Sequence, residues 1–137
     1  GVPKKDYSEM PEAFSHVSPE SLGDYMKAQF HYWSEDEIAC NFRKMLTLEQ
    51  YKSPEMNALY QKVLVGGPMD YIENLFREIS KEQKKQLPSP HELAVEFYSP
   101  FYLLLSMSDG ADCREKKEEI AQSYINYIDD FFQKYFS

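Results

Sequence analysis

Residues 93–107 read Leu93-Ala94-Val95-Glu96-Phe97-Tyr98-Ser99-Pro100-Phe101-Tyr102-Leu103-Leu104-Leu105-Ser106-Met107. A helix drawn through this stretch is apolar nearly all round, with Glu96 its one charge. Such a helix has to be covered on both sides, and one small bundle offers cover mainly on one. A second subunit is the simplest cover. The alternative is that residues 90–108 form the central helix of a monomeric bundle. Pro100 removes one backbone donor and presses on the carbonyl of Glu96, so a kink is expected rather than a break. A kinked helix leaves room beside it for a ligand.

The segment that follows carries the second half of the argument. Ile120, Tyr124, Tyr127, Ile128, Phe131, Phe132 and Tyr135 fall at spacings of 4, 3, 1, 3, 1 and 3, which is a wide apolar stripe on one helix face. Ala121, Ile125 and Phe136 widen it. Two such helices from each of two chains would form a four-helix interface about a two-fold axis. Phe97, Phe101, Leu104 and Leu105 from the first, with Tyr124, Tyr127, Ile128 and Phe131 from the second, are its expected members.

Outward from these two segments the chain reads as all-α. Strand formers are scarce: one threonine (Thr47), five valines and six isoleucines, with no sustained period of two. Helix starts are expected at Ser18-Pro19-Glu20, Ser34-Glu35-Asp36-Glu37, Ser53-Pro54-Glu55, Ser89-Pro90-His91-Glu92 and Asp112-Cys113-Arg114-Glu115. Each sets a capping side chain before a first-turn proline or acid. Stops are expected at Asp109-Gly110, where glycine can turn left-handed, and at Leu87-Pro88. Gly66-Gly67-Pro68 is expected to break or bend one helix and start another. The pattern predicts a bundle of about six helices near 19–32, 35–49, 54–65, 68–84, 90–108 and 113–136. Residues 1–17, with Pro3 and Pro11, read as irregular or a linker remnant, and 18–137 as one domain.

Composition narrows the functional classes. The 137 residues are 42% hydrophobic and 15% aromatic, enough for a core that buries about two-thirds of the unfolded surface. A net charge of −8 runs against a phosphate-binding face, and the longest basic stretch, Lys81-Glu82-Gln83-Lys84-Lys85, is short and interrupted. No apolar run spans a membrane, and a cytoplasmic location is expected. His16, His31 and His91 have no metal-ligand neighbour at helical spacing, so no metal, cofactor or catalytic residue is assigned and no enzyme is expected. His31 reads as a partly buried structural histidine or a pocket donor. Cys40 reads as an apolar filler and Cys113 as an exposed first-turn thiol without a base. Arg43 reads as one half of a surface or inter-helix ion pair, with Glu49 or a ligand carboxylate as further partners. Arg114 and Glu118 form a possible i,i+4 pair.

Several stretches resemble the ligand-binding and dimerisation domain of the TetR family of transcriptional repressors. They are Phe42-Arg43-Lys44-Met45-Leu46-Thr47-Leu48-Glu49-Gln50-Tyr51, Ser53-Pro54-Glu55 with Leu59-Tyr60, Pro68-Met69-Asp70-Tyr71 with Leu75-Phe76, and Glu96-Phe97-Tyr98-Ser99-Pro100-Phe101-Tyr102. The tail Phe131-Phe132-Gln133-Lys134-Tyr135 fits the last helix of that family. The resemblance implies a helical homodimer with a pocket in each subunit, whose ligand controls DNA binding by amino-terminal helix-turn-helix domains. No helix-turn-helix fits before residue 18, so DNA is an expected partner only through a longer parent chain.

Within that frame Phe30, Trp33, Phe42, Met45, Tyr60, Tyr71, Phe76, Tyr98 and Tyr102 are the expected ligand-binding residues. Aromatic rings and methionines suit a mostly apolar cavity, and hydroxyls orient what enters it. A small apolar or aromatic effector is the expected ligand. The competing expectation is a structural dimerisation or protein-interaction bundle whose aromatic centre is solid core. A sensor should hold an internal cavity lined from at least three helices; a solid bundle should not.

Overall fold

The structure, a computed structural model, describes residues 18–137; the expected irregular stretch 1–17 lies outside them. Among the described residues all regular structure is helical. Helix α1 is Pro19–Glu35 and α2 is Glu37–Glu49. Helix α3 runs over 54–80 without a break, as an α-helical segment Pro54–Tyr60, a π-helical stretch Gln61–Val65 and a second α-helical segment Gly66–Ser80. Helix α4 is Pro90–Asp109 and α5 is Arg114–Phe136. The count is therefore five rather than six.

Three starts follow the expected chemistry. Ser18, Ser53 and Ser89 accept from the backbone N–H groups of Ser21, Met56 and Glu92, each before a proline. Two differ. Asp36, not Ser34, caps α2 by accepting from Ala39 at 2.9 Å, because α1 runs on to Glu35. Ser34 lies buried in that last turn and donates to the Phe30 carbonyl at 2.7 Å. Cys113 holds the cap position of α5, while Asp112 pairs with Lys116 at 3.1 Å. Gly110 closes α4 in the right-handed region, with φ −85°, so no left-handed turn is needed.

Gly66-Gly67-Pro68 does not break α3, and the reason is local. Pro68 has no N–H, so the carbonyl four residues back, Leu64, loses its helical donor. The π-helical widening ahead of it absorbs one extra residue, and the Gly66 N–H reaches back five residues to the Gln61 carbonyl. Gly67 permits this: a Cβ there would collide with the Lys62 carbonyl oxygen.

Helix α4 is the centre of the bundle, packed by α1, by the Gly66–Ser80 segment and by α5. Helix α5 also packs on α1, where Gly23 allows close approach: a Cβ at Gly23 would meet Ile128 and Phe132 at 3.3 Å. Helix α2 lies outside, on α1 and on Pro54–Tyr60. Its anchor is Arg43, buried to 6% exposure, whose guanidinium donates to both carboxylate oxygens of Asp109 at 2.7 and 2.9 Å and to the Trp33 carbonyl. The inter-helix form of the expected ion pair is the one present, with Asp109 rather than Glu49. Arg114 takes Glu35 as a two-pronged partner at 2.8 and 2.9 Å and Glu118 at 3.4 Å.

Candidate functional site

Two mid-helix prolines lie in neighbouring helices, and each frees a carbonyl that a tyrosine from another helix takes up. In α3, Pro68 frees the Leu64 oxygen, and the buried Tyr98 hydroxyl of α4 donates to it at 2.8 Å. In α4, Pro100 frees the Glu96 oxygen, and the Tyr127 hydroxyl of α5 donates to it at 2.5 Å. Helix α4 runs unbroken through Pro100. A buried unpaired carbonyl is costly, and the Tyr98 hydroxyl removes that cost at Leu64; the Tyr127 hydroxyl pairs the Glu96 oxygen at an exposed position.

The first of these bonds is the centre of a phenol cluster. The Tyr102 hydroxyl donates to the Tyr98 oxygen at 3.4 Å, so a relay runs from half-buried Tyr102 through Tyr98 to Leu64. The rings of Tyr98 and Tyr102 meet edge to face at 5.2 Å, as do those of Tyr25 and Tyr71. Burial pushes Tyr102 up to about 12, and the phenol of Tyr60 adds to the rise. Burial likewise holds Tyr98 well above the usual phenol range, reinforced by Tyr102, Tyr124 and Tyr25. These hydroxyls therefore stay protonated donors at neutral pH.

Of the expected ligand-binding residues, the structure brings Tyr60, Tyr98 and Tyr102 together and leaves Tyr71 beside them through Tyr25. Phe30 borders the cluster: its ring stacks on Tyr124 at 4.6 Å and meets Phe101 edge-on at 6.0 Å. Trp33 is buried by Arg43 and Tyr32. Phe76 belongs to a separate knot with Phe97, Phe131, Phe132 and Phe136. Phe42 is half-buried and Met45 is exposed on α2, the outer helix. Tyr25, outside the nine assigned residues though one of the aromatics that suit a cavity, and the Leu64 carbonyl also lie at the site. Tyr25 has a signal in the sequence, one residue before Met26 on the inward face of α1. A backbone oxygen has none.

The residues expected across the two-fold axis face inward. Phe97, Phe101, Leu104, Leu105, Tyr124, Ile128 and Phe131 are buried in the chain's own core, and Tyr127 is half-buried. The expectation that these side chains need a second subunit for cover is corrected: α1, α3 and α5 supply it. What α4 leaves outside is Val95, Leu103 and Met107, with Ser99 between them, one stripe at spacings near one turn. His31 is exposed rather than partly buried, and Cys113 is exposed.

Tyr124 is a further departure. It is fully buried, and its hydroxyl has no hydrogen-bond partner among the described residues. Burial drives its pKa far up. A buried polar group left unpaired costs about 1–3 kcal/mol. Tyr124→Phe is expected to raise stability by about 1 kcal/mol and the melting temperature by about 4 °C. A lowered melting temperature in calorimetry would show that the hydroxyl has a partner in solution.

Concavities on the described surface include two along α5. One, of about 510 Å³, runs along α5 past Gln122, Asn126 and Asp130; the other, of about 410 Å³, lies between the start of α1 and the end of α5. Both are open grooves, and neither reaches the phenol cluster. No group of three metal-ligating side chains occurs among the described residues, and none of their helices is long and apolar enough to cross a membrane. No family model, curated protein or solved structure matches the chain.

Proposed function

We propose that the chain is the ligand-sensing and dimerisation module of a TetR-like transcriptional repressor. The observation that carries this is the relay Tyr102–Tyr98–Leu64, set where α3 departs from α-helical register. π-helical bulges inside α-helices are frequent at functional sites. The rings of Tyr25, Tyr60, Tyr98 and Tyr102 supply an apolar wall, and their hydroxyls supply orientation. The ligand is a small aromatic or apolar effector carrying a hydrogen-bond acceptor. Two copies meet along the outward stripe Val95, Leu103 and Met107 of α4 instead of the buried set, and DNA is contacted only by a helix-turn-helix part of a longer parent chain. The reading assigns no catalytic step.

A screen of small aromatic compounds by thermal shift tests it. A ligand present at about a hundred times its Kd adds about 2.7 kcal/mol of stability. The gain should shrink in Tyr102→Phe. If no compound in a broad screen moves the transition, the sensing role falls.

One observation favours a second reading. The interior is filled ring against ring, from the stack of Phe30 on Tyr124 to the knot around Phe76, and the two concavities above are superficial. A solid structural or protein-interaction bundle would look like this. The same screen separates the two, because a solid bundle gives no shift.

A further inference from the structure

We propose that the π-helical stretch Gln61–Val65 is a register switch in α3, latched by the hydroxyl of Tyr98 on the Leu64 carbonyl. Three features mark the wide register. The Gly66 N–H takes the Gln61 carbonyl, five residues back. Val65, at the junction, has φ −122° and ψ −83°, outside helical values, although residues on both sides are helical. Gly67 approaches the Lys62 carbonyl so closely that a Cβ would collide with its oxygen. Each belongs to this register alone. In α-helical register Gly66 would take the Lys62 carbonyl instead, and the surplus residue would pass to the turn before Pro54.

The latch comes from outside the helix. Leu64 is buried, and Pro68, four residues on, has no N–H to offer its oxygen. Tyr98, from α4, is the donor that reaches it at 2.8 Å. Shifting α3 by one residue turns Pro54–Tyr60 by about 100° relative to Gly66–Ser80. That segment carries Tyr60 and is the part of α3 on which α2 packs. The switch therefore joins the interior phenols to the outer helix. Packed elements with two discrete arrangements are what convert a small local change into a larger movement. Resting on the sensing role proposed above, an effector whose acceptor captures the Tyr98 hydroxyl would favour the unlatched register, by no more than its preference for that state.

The test uses the full chain without ligand. Scalar couplings measured across hydrogen bonds by NMR identify the carbonyl that the Gly66 amide takes. In the parent chain that carbonyl is Gln61. In Tyr98→Phe, which keeps the ring and removes the latch, coupling to Lys62 should appear, and the Gly66 amide should exchange about five-fold faster, the factor for one ordinary hydrogen bond. Amides in α5 should not change. Gly67→Ala pushes on the same register from the other side and should give the same Lys62 coupling, so the result does not hang on one variant. If Gly66 remains bonded to Gln61 in both variants at parental exchange rates, there is no switch. No effector enters the experiment, so an empty ligand screen counts against the sensing role and leaves the switch standing, while unchanged couplings count against the switch alone.

Discussion

Phe101→Glu is expected to unfold the protomer rather than to separate two folded ones. Phe101 is 1% exposed in the middle of α4. Its ring stacks on Tyr98 at 5.2 Å and meets Phe30 and Tyr124 edge-on at 6.0 and 5.9 Å. A carboxylate placed among those rings loses its hydration, and the rings lose their central contact. Removing a buried phenylalanine costs about 3–5 kcal/mol on its own. Burying an unpaired charge adds several more, or forces the glutamate to hold its proton. The sum is on the order of the whole stability of a domain. The near-ultraviolet circular dichroism and the cooperative urea transition should both be lost. Leu103→Glu, two residues on but 63% exposed, should keep both signals. It should weaken self-association by sedimentation if the outward stripe of α4 is the subunit contact. A Phe101→Glu protein with the parental urea midpoint would contradict the packing described here.

Phe131→Ala is the second large effect. Phe131 is 4% exposed, with ring contacts to Phe97 at 4.9 Å, Tyr135 at 5.0 Å and Phe76 at 5.6 Å. Alanine would leave a hole walled by rings held from α3, α4 and α5, which cannot all close on it. The expected loss is about 3–5 kcal/mol. It should appear as a lowered urea midpoint with an unchanged slope, since the surface exposed on unfolding is nearly the same. A loss under about 1 kcal/mol would mean that this face is open to water.

The contrast between Phe101 and Leu103 also shows how far the pattern in the sequence carried. Residues 93–107 are apolar all round, and that alone requires cover on every side. It does not say whose side chains provide it. The capping serines at 18, 53 and 89 were legible because each bond closes within three residues. Gly66-Gly67-Pro68, where a break or bend is expected, follows a π-helical stretch and the helix continues through it. Its local chemistry is that of an interruption, and the hydroxyl that repairs it comes from Tyr98, 34 residues away. Tyr60, Tyr98 and Tyr102 are residue types that suit a ligand, and they share one neighbourhood. Met45 suits a ligand equally well by type and faces outward, because side-chain chemistry does not specify which face of α2 meets the bundle.

The amino-acid order by itself determined that this chain is helical, where most of its helices begin, and that 90–108 and 113–136 supply the greasiest surfaces. Those are consequences of capping, of 3.6-residue periodicity and of proline geometry, all of which act over a turn or two. Only the tertiary structure decided that α4 is wrapped by its own chain, that Asp109 answers Arg43, and that tyrosine hydroxyls occupy the carbonyls released by Pro68 and Pro100. A donor and an acceptor 31 or 34 residues apart become neighbours through the packing of whole helices, and no local pattern encodes which oxygen a hydroxyl will find.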